Sequence, residues 1–397
     1  MNDVASPETT AASAAVEERV ADVVGLHRAI VGIASVSGEE GALAEHLAAW
    51  LAARGLTVER IGGSLYAECG AADADAPLVL FDTHLDTVPP ASGWTRPAFA
   101  ATVEGDRVYG LGANDAKASV AAMCCAVAAH ARTSLPFRLG LALVEGEETK
   151  SIGTERVLAH LAAQDRRPAM AVLGEPTCLD IAVAQKGLMV LELVASGDAC
   201  HAAHAAALGA RNAARRLARD IVALDLIDLG APHPELGPTT VEPTVVRAGE
   251  ARNAVPGVAT AVLDVRSTPA LPHSEIVARL RAVLASEVRV VSDRLRPRST
   301  PIDAPLVLAA RRARPAARCF ASPTLSDMAL MPEIPAIKVG PGDTRRSHTA
   351  DEYVLTSELL DGEAFYRSLI AELATDAATR IRPLAATAEP DRAERSR

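Results

Sequence analysis

Short apolar runs alternate with amphipathic stretches of helical period through the first 175 residues, and this alternation restricts the chain to few folds. Helix patterns cover about 15–34, 39–54, 118–132 and 152–164, and strand patterns lie near 56–61, 64–69, 77–83, 137–144 and 169–174. Strands alternating with helices imply a sheet that is at least partly parallel and covered on both faces. The expectation is an α/β fold with a mixed, largely parallel sheet.

After "GEPT" the rhythm changes. Strand 188–195, helix 205–223, strands 241–247 and 259–266, helix 274–286 and strand 287–292 give the order βαββαβ, the ferredoxin-like unit. Helix 304–318, strand 335–339 and helix 356–375 then resume the first pattern. The expected organisation is therefore a discontinuous α/β catalytic domain, 15–185 and 296–380, with an inserted α+β domain at 186–295. The small, charged segment 381–397 reads as a disordered tail.

The chain has 397 residues and a formal net charge of −10, which argues against nucleic acid or an anionic membrane as partner. No apolar stretch reaches the roughly 18 residues needed to span a bilayer. The first twenty residues lack the basic and apolar regions of a signal peptide. The six cysteines form no CxxC pair and no regular framework, as expected of reduced thiols in a cytoplasmic protein.

The polar residues that end these elements carry the chemistry. "VLFDTHLDTVPP" takes an apolar strand into His84 and Asp86; "GLGANDAK" holds Asp115; "LVEGEET" holds Glu147 and Glu148; "VLGEPT" holds Glu175; "GPGDTRRSHTADEY" holds His348. Each has an ordinary explanation alone. An acid at a helix start complements the dipole, adjacent glutamates are usually solvated, and a histidine after a strand often lies in a polar loop. As a set they differ, because His84, Asp115, Glu148, Glu175 and His348 would all emerge at one edge of one sheet. Two histidines and three carboxylates suit two divalent cations with one carboxylate bridging. Asp86 would then orient the His84 imidazole, and Glu147 would act as general base toward water.

These motifs, with "CHAAHAAALGARNA" and "RNAVPGVATAVLDVR", resemble in identity and order the co-catalytic metallohydrolase family of acetylornithine deacetylase, succinyl-diaminopimelate desuccinylase, carboxypeptidase G and aminoacylase. The resemblance spans about residues 20–375. It implies that His84 and Glu175 hold one metal, Glu148 and His348 the other, and that Asp115 bridges them. The ions would be zinc, with cobalt as the alternative. Glu147 would be general acid/base and Asp86 the support of His84. His201 would stabilise the oxyanion from the partner subunit of a homodimer formed through the inserted domain. Arg266 and Asn253 would bind the substrate's carboxylate or polar backbone. His201 can equally cap a helix, Asn253 fill a turn before Pro256, and Arg266 form a surface ion pair. Two positions depart from the common pattern: Gly146 replaces an acid, and Ala118 replaces a glycine.

The text around 184–196 and 323–353 looks most like the acetylornithine deacetylase branch. It implies removal of the N-acyl group from N-acetyl-L-ornithine or a close relative such as acetylcitrulline or acetyl-lysine, in amino-acid biosynthesis. A desuccinylase or dipeptidase of the same family is the alternative. A non-catalytic, metal-stabilised binding protein is the remote one, disfavoured because every expected ligand and Glu147 is present.

Overall fold

A computed structural model describes residues 22–331 and 333–377. The expected tail at 381–397 and the first part of helix 15–34 lie outside the described residues. Contacts divide the chain into two units, 22–181 with 301–319 and 333–377, and 182–300 with 320–331.

The first unit begins with helices α1 (22–31) and α2 (Gly41–Ala53) and the hairpin β1 (Val58–Ile61) and β2 (Ser64–Gly70). Strand β3 (Leu78–His84) follows. Two short strands, β4 (Thr102–Glu104) and β5 (Arg107–Tyr109), precede α3 (Lys117–Ala128), β6 (Arg138–Val144), α4 (Ile152–Ala162) and β7 (Pro168–Leu173). The chain re-enters this unit through α8 (Pro305–Ala313), β17 (Ala336–Lys338), β18 (Tyr353–Leu355) and α9 (Thr356–Ala377). In the main sheet these strands run β1-β2-β6-β3-β7-β17. Pairs β6/β3, β3/β7 and β7/β17 are parallel, while β1/β2 and β2/β6 are antiparallel. Every residue of β3, β6 and β7 is buried, the burial expected when helices cover both faces. Phe81 lies opposite Leu141 of β6 and Val172 of β7, so the registers align the carboxyl ends of these strands.

The second unit contains β8 (Ile181–Gln185, from Ala182 onward), β9 (Gly187–Ser196), β10 (Cys200–His201), α5 (Ala205–Leu208), α6 (Ala213–Ala223), β11 (Thr240–Ala248), β12 (Ala254–Val255), β13 (Val258–Ser267), α7 (His273–Val283), β14 (Glu287–Leu295), β15 (Arg298–Ser299) and most of β16 (Cys319–Ser322). Its four-stranded antiparallel sheet has the order β11-β13-β9-β14. With α6 and α7 this is the βαββαβ topology. Alternate residues of β9 and β13 are buried, and Leu191, Leu193, Leu263 and Val265 pack with Leu217 of α6 and Ile276 and Leu280 of α7. The period of two is the one-sided burial of an antiparallel sheet.

Two expected helices are corrected. The stretch 205–223 breaks after Leu208, where Gly209 adopts a left-handed φ of 59°. The helix restarts at Asn212, whose side chain accepts from Arg215 N at 3.1 Å. Helix 304–318 stops at Ala313, since Pro315 disfavours helical geometry for Arg314, which takes φ −139° and ψ 87°. All six cysteines are free thiols. Among the described residues, no helix is long and apolar enough to cross a membrane.

The packing of β6 yields a stability prediction. Leu141 is fully buried between neighbouring strands. Leu141→Ala should lower unfolding free energy by about 2–5 kcal/mol, read from urea melts. A loss below about 0.5 kcal/mol would be a surface value and would contradict this packing.

Candidate metal centre

The parallel strands deliver their polar residues at one edge. His84 is the last residue of β3; Glu147 and Glu148 follow β6; Glu175 follows β7; His348 lies in the segment between β17 and β18. Asp115 sits in the turn that opens α3, where the Asp115–Ala116 peptide is cis. Donor atoms of His84, Asp115 and Glu175 lie within 4.8 Å of one another, and so do those of Asp115, Glu148 and His348. Asp115 belongs to both groups. The five residues expected as ligands therefore lie together.

The imidazole of His84 is held from behind. Its Nδ1 donates to the Asp86 main-chain oxygen at 2.9 Å, with the Asp86 carboxylate 3.5 Å away. That arrangement turns Nε2 toward Asp115, 3.2 Å from Oδ1. The Asp86 carboxylate also accepts from Ser37 Oγ at 2.6 Å, Glu147 N at 3.0 Å and Glu148 N at 3.1 Å. Asp86 thus orients the histidine through its main-chain oxygen and, through its carboxylate, fixes the turn that carries both glutamates. Gly146 in that turn has φ 68°, so the glycine at this departure from the family pattern suits a left-handed backbone. Asp82, within β3, accepts from Thr154 Oγ1 at 3.2 Å and belongs to the sheet's buried structure.

The electrostatics match the donor set. Burial and the neighbouring Asp115 charge raise Glu175 to about 8. Hydrogen bonding to Glu148 at 2.9 Å raises His348 to about 9 despite its partial burial. Burial alone would lower His84, but the Asp115 and Asp86 carboxylates overcome it and raise the imidazole well above its ordinary value. For Asp115, burial opposes ionisation, but hydrogen bonding to His84 wins and keeps the carboxyl below its usual range. Carboxylates crowded into a buried edge with two imidazoles fit a pair of divalent cations, which would relieve the like-charge repulsion.

Two buried residues here were missed by the sequence reading. Lys338, on β17, feels the charges of Glu175, Glu147 and Asp115, while burial lowers its pKa. Glu352 accepts amides from the turn that bears Asp115 and is raised to about 8, by burial first and Asp115 second. The two cations beside His348 are both paired: Arg346 donates to Glu358 at 2.7 and 3.0 Å, and Arg345 Nε contacts both Asp343 oxygens at 3.0 Å.

The remaining expected residues lie on the second unit. His201 is exposed, and its Nδ1 accepts from Ala203 N at 3.1 Å, capping a short 3₁₀ turn. Its ring centroid is 5.7 Å from that of His204. Asn253 is exposed and accepts from Ala202 N through its main-chain oxygen at 2.8 Å. Arg266 pairs with Asp264 at 2.8 and 3.2 Å and lines a cavity of about 370 Å³ with Lys186, Glu235 and Leu236.

Known proteins resemble this chain in sequence and in fold. The model of peptidase family M20/M25/M40 matches residues 80–372. A succinyl-diaminopimelate desuccinylase of Sphingopyxis alaskensis is 30% identical over 66% of this chain and 72% of its own length. A peptidase M20 domain-containing protein of Schizosaccharomyces pombe is 29% identical over 88% of this chain and 84% of its own length. Among solved structures, the M20 family metallo-carboxypeptidase Sso-CP2 of Sulfolobus solfataricus aligns with a TM-score of 0.69 at 19% identity, covering 89% of this chain and 99% of that one. The Bacillus subtilis YXEP protein, described as a dinuclear metal-binding peptidase, aligns with a TM-score of 0.70 at 17% identity over 92% and 99%. The family match runs from within β3 into α9 and takes in all five clustered donors, so the chain belongs to peptidase family M20/M25/M40 and is a metal-dependent hydrolase of amide bonds.

Proposed function

We propose that the chain is a two-metal amidohydrolase that removes the acyl group from an N-acyl-L-amino acid. The observation that carries this reading is the pair of three-donor groups sharing Asp115. His84 and Glu175 are assigned to one ion and Glu148 and His348 to the other, with zinc as the ion and cobalt as the substitute. When bound, such a pair supplies Lewis acidity toward a carbonyl oxygen and lowers the pKa of water.

The protein's own residues do the rest. Asp86 keeps His84 Nε2 facing the donors and holds the Glu147–Glu148 turn by two amides. Glu147 takes a proton from the attacking water as oxygen adds to the carbonyl carbon, then delivers it to the amide nitrogen as the C–N bond breaks. His201 is assigned to the oxyanion and, from the resemblance, to action across a homodimer formed through the second unit. Arg266 and Asn253 are assigned to the substrate's carboxylate and backbone; a guanidinium fork suits a carboxylate.

Two substrate readings have support. The text around 184–196 and 323–353 favours N-acetyl-L-ornithine or a close relative. The existing pairs of Arg345 and Arg346 agree, since both guanidiniums beside His348 already have carboxylate partners. Several relatives are succinyl-diaminopimelate desuccinylases, which favours N-succinyl-L,L-diaminopimelate. Measured kcat/KM over acetyl and succinyl forms of ornithine, citrulline, lysine and diaminopimelate ranks them. The expected leader is an acetyl substrate, and a lead of about tenfold or more for succinyl-diaminopimelate, or about 1.4 kcal/mol, would replace that assignment.

Glu147→Gln should lower kcat by about 10²–10⁴-fold while two metals stay bound, since a base and not a ligand is removed. Turnover beside metal analysis checks this; near-normal kcat, or loss of metal with the carboxylate, would refute the role.

Metal affinity should depend on pH in a fixed direction. With His348 raised to about 9 and Glu175 to about 8 in chelator-treated protein, both carry protons at neutral pH. A metal must displace those protons, so affinity rises with pH and flattens only above about 9. Titration calorimetry in buffers of different ionisation enthalpy should read at least about one proton released per pair of ions near pH 7. Affinity that stays constant between about pH 6 and 8, with no proton release, would contradict the ligand assignment.

A further inference from the structure

Residues 110–115 form a buried turn whose amides need acceptors inside the protein, because little water reaches it. Leu111, Ala113 and Asn114 are essentially inaccessible. Leu111 N donates to Ala98 O and Ala113 N to Gly110 O. The other four amides all end on one residue. Gly110 N donates to the main-chain oxygen of Glu352 at 2.9 Å. Gly112 N donates to Glu352 Oε2 at 3.2 Å, and Asn114 N and Asp115 N both donate to Oε1 at 2.9 Å. Gly112 itself has φ 74°, and a Cβ there would lie 2.5 Å from Thr87 Cγ2, so the turn admits little alternative packing.

The same segment is tied back by Asn114. Its Nδ2 donates to Asp343 O at 3.1 Å and Ser347 Oγ at 3.2 Å, and its Oδ1 accepts from Asp343 N at 2.9 Å. The stretch 343–352 therefore supplies His348 and also closes on the turn that supplies Asp115. Pairing of Tyr353 with Tyr109 across β18 and β5 places Glu352 at the end of a ladder, beneath the turn.

We infer that Glu352 is a positioning residue for the metal centre: its carboxylate, by accepting the amides of Gly112, Asn114 and Asp115, sets the direction in which Asp115 presents its oxygens to both ions. The inference rests on the two-metal reading of the site. It predicts a coupled effect, because displacement of Asp115 disturbs both donor groups at once, whereas a ligand outside Asp115 belongs to one group. It also ranks substitutions. Glu352→Gln keeps a carbonyl oxygen for Asn114 and Asp115 and loses the acceptor of Gly112. Glu352→Ala leaves all three amides without their acceptor.

The test uses the full chain with zinc. Hydrogen–deuterium exchange over 108–118 is measured in chelator-treated protein, and zinc affinity and stoichiometry are measured by competition with a chromophoric chelator. In Glu352→Ala, exchange in the turn should accelerate about tenfold or more, and affinity for both ions should fall about 10–100-fold, the range for loss of a residue that orients a ligand. In Glu352→Gln, faster exchange should be confined to Gly112 and affinity should fall less than in the alanine variant, a rescue that a purely structural role would not produce. Unchanged affinity for both ions, loss of only one ion, or an unaltered exchange pattern would each overturn the inference. If the alanine variant fails to fold, the glutamine variant decides alone: a Gly112 amide that stays protected overturns it. Wild-type protein that takes up no divalent ion would overturn the proposed function, while the exchange rates would still decide whether Glu352 holds the turn.

Discussion

Like-charge crowding around Asp115 is the constraint on which the site depends. Its carboxylate lies within reach of Glu175 on one side and Glu148 on the other, at an edge where burial weakens screening. The protein manages this with imidazoles set against the acids, a buried lysine on β17, and burial that raises Glu175 and Glu352 to about 8. None of these arrangements is a strong source of stability, since each buried charge is costly even when paired. The sheet supplies the stability through β3, β6 and β7, whose residues are buried along their whole length. Rigid, apolar strands carry polar residues at their ends that would not gather there on electrostatic grounds alone.

Asp86 and Glu352 show a shared solution. Each is a buried carboxylate that accepts two or three main-chain amides from a turn bearing acids, Glu147 and Glu148 in one case and Asp115 in the other. Amide donors stabilise negative charge without adding a mobile cation. The backbone around the acids is thereby held by contacts separate from their own oxygens.

Much of this was legible in the chain. The apolar runs before His84, Glu147 and Glu175 were short and bounded by polar residues, so strand length and burial located the sheet edge. Order and topology of the βαββαβ unit followed from periodicity, because one-sided burial leaves a period of two in β9 and β13. The legible part ended where a contact involves a single residue. Glu352 lies in the quoted "TADEY", but nothing in a sequence distinguishes a buried acid that accepts amides from a solvated one. Lys338 interrupts an otherwise apolar strand, and that interruption was the available signal. Strands of two or three residues, such as β10, β12 and β18, are too short to have a period. Gly209 and Pro315 were readable as helix stops, yet the surrounding alanine-rich text continued the helical pattern past both.

The order of donors along the chain has a consequence for synthesis. His84, Asp115 and Glu175 all precede the second unit, whereas His348 follows it. A growing polypeptide on the ribosome thus possesses every side chain of the first donor group before the second unit has been translated. The second group waits for its histidine until the chain has been translated past the second unit to residue 348, and Asp115 waits as long for Glu352. Before that point, an ion meeting the nascent chain has one complete three-residue set available, with its shared carboxylate still lacking the distant brace.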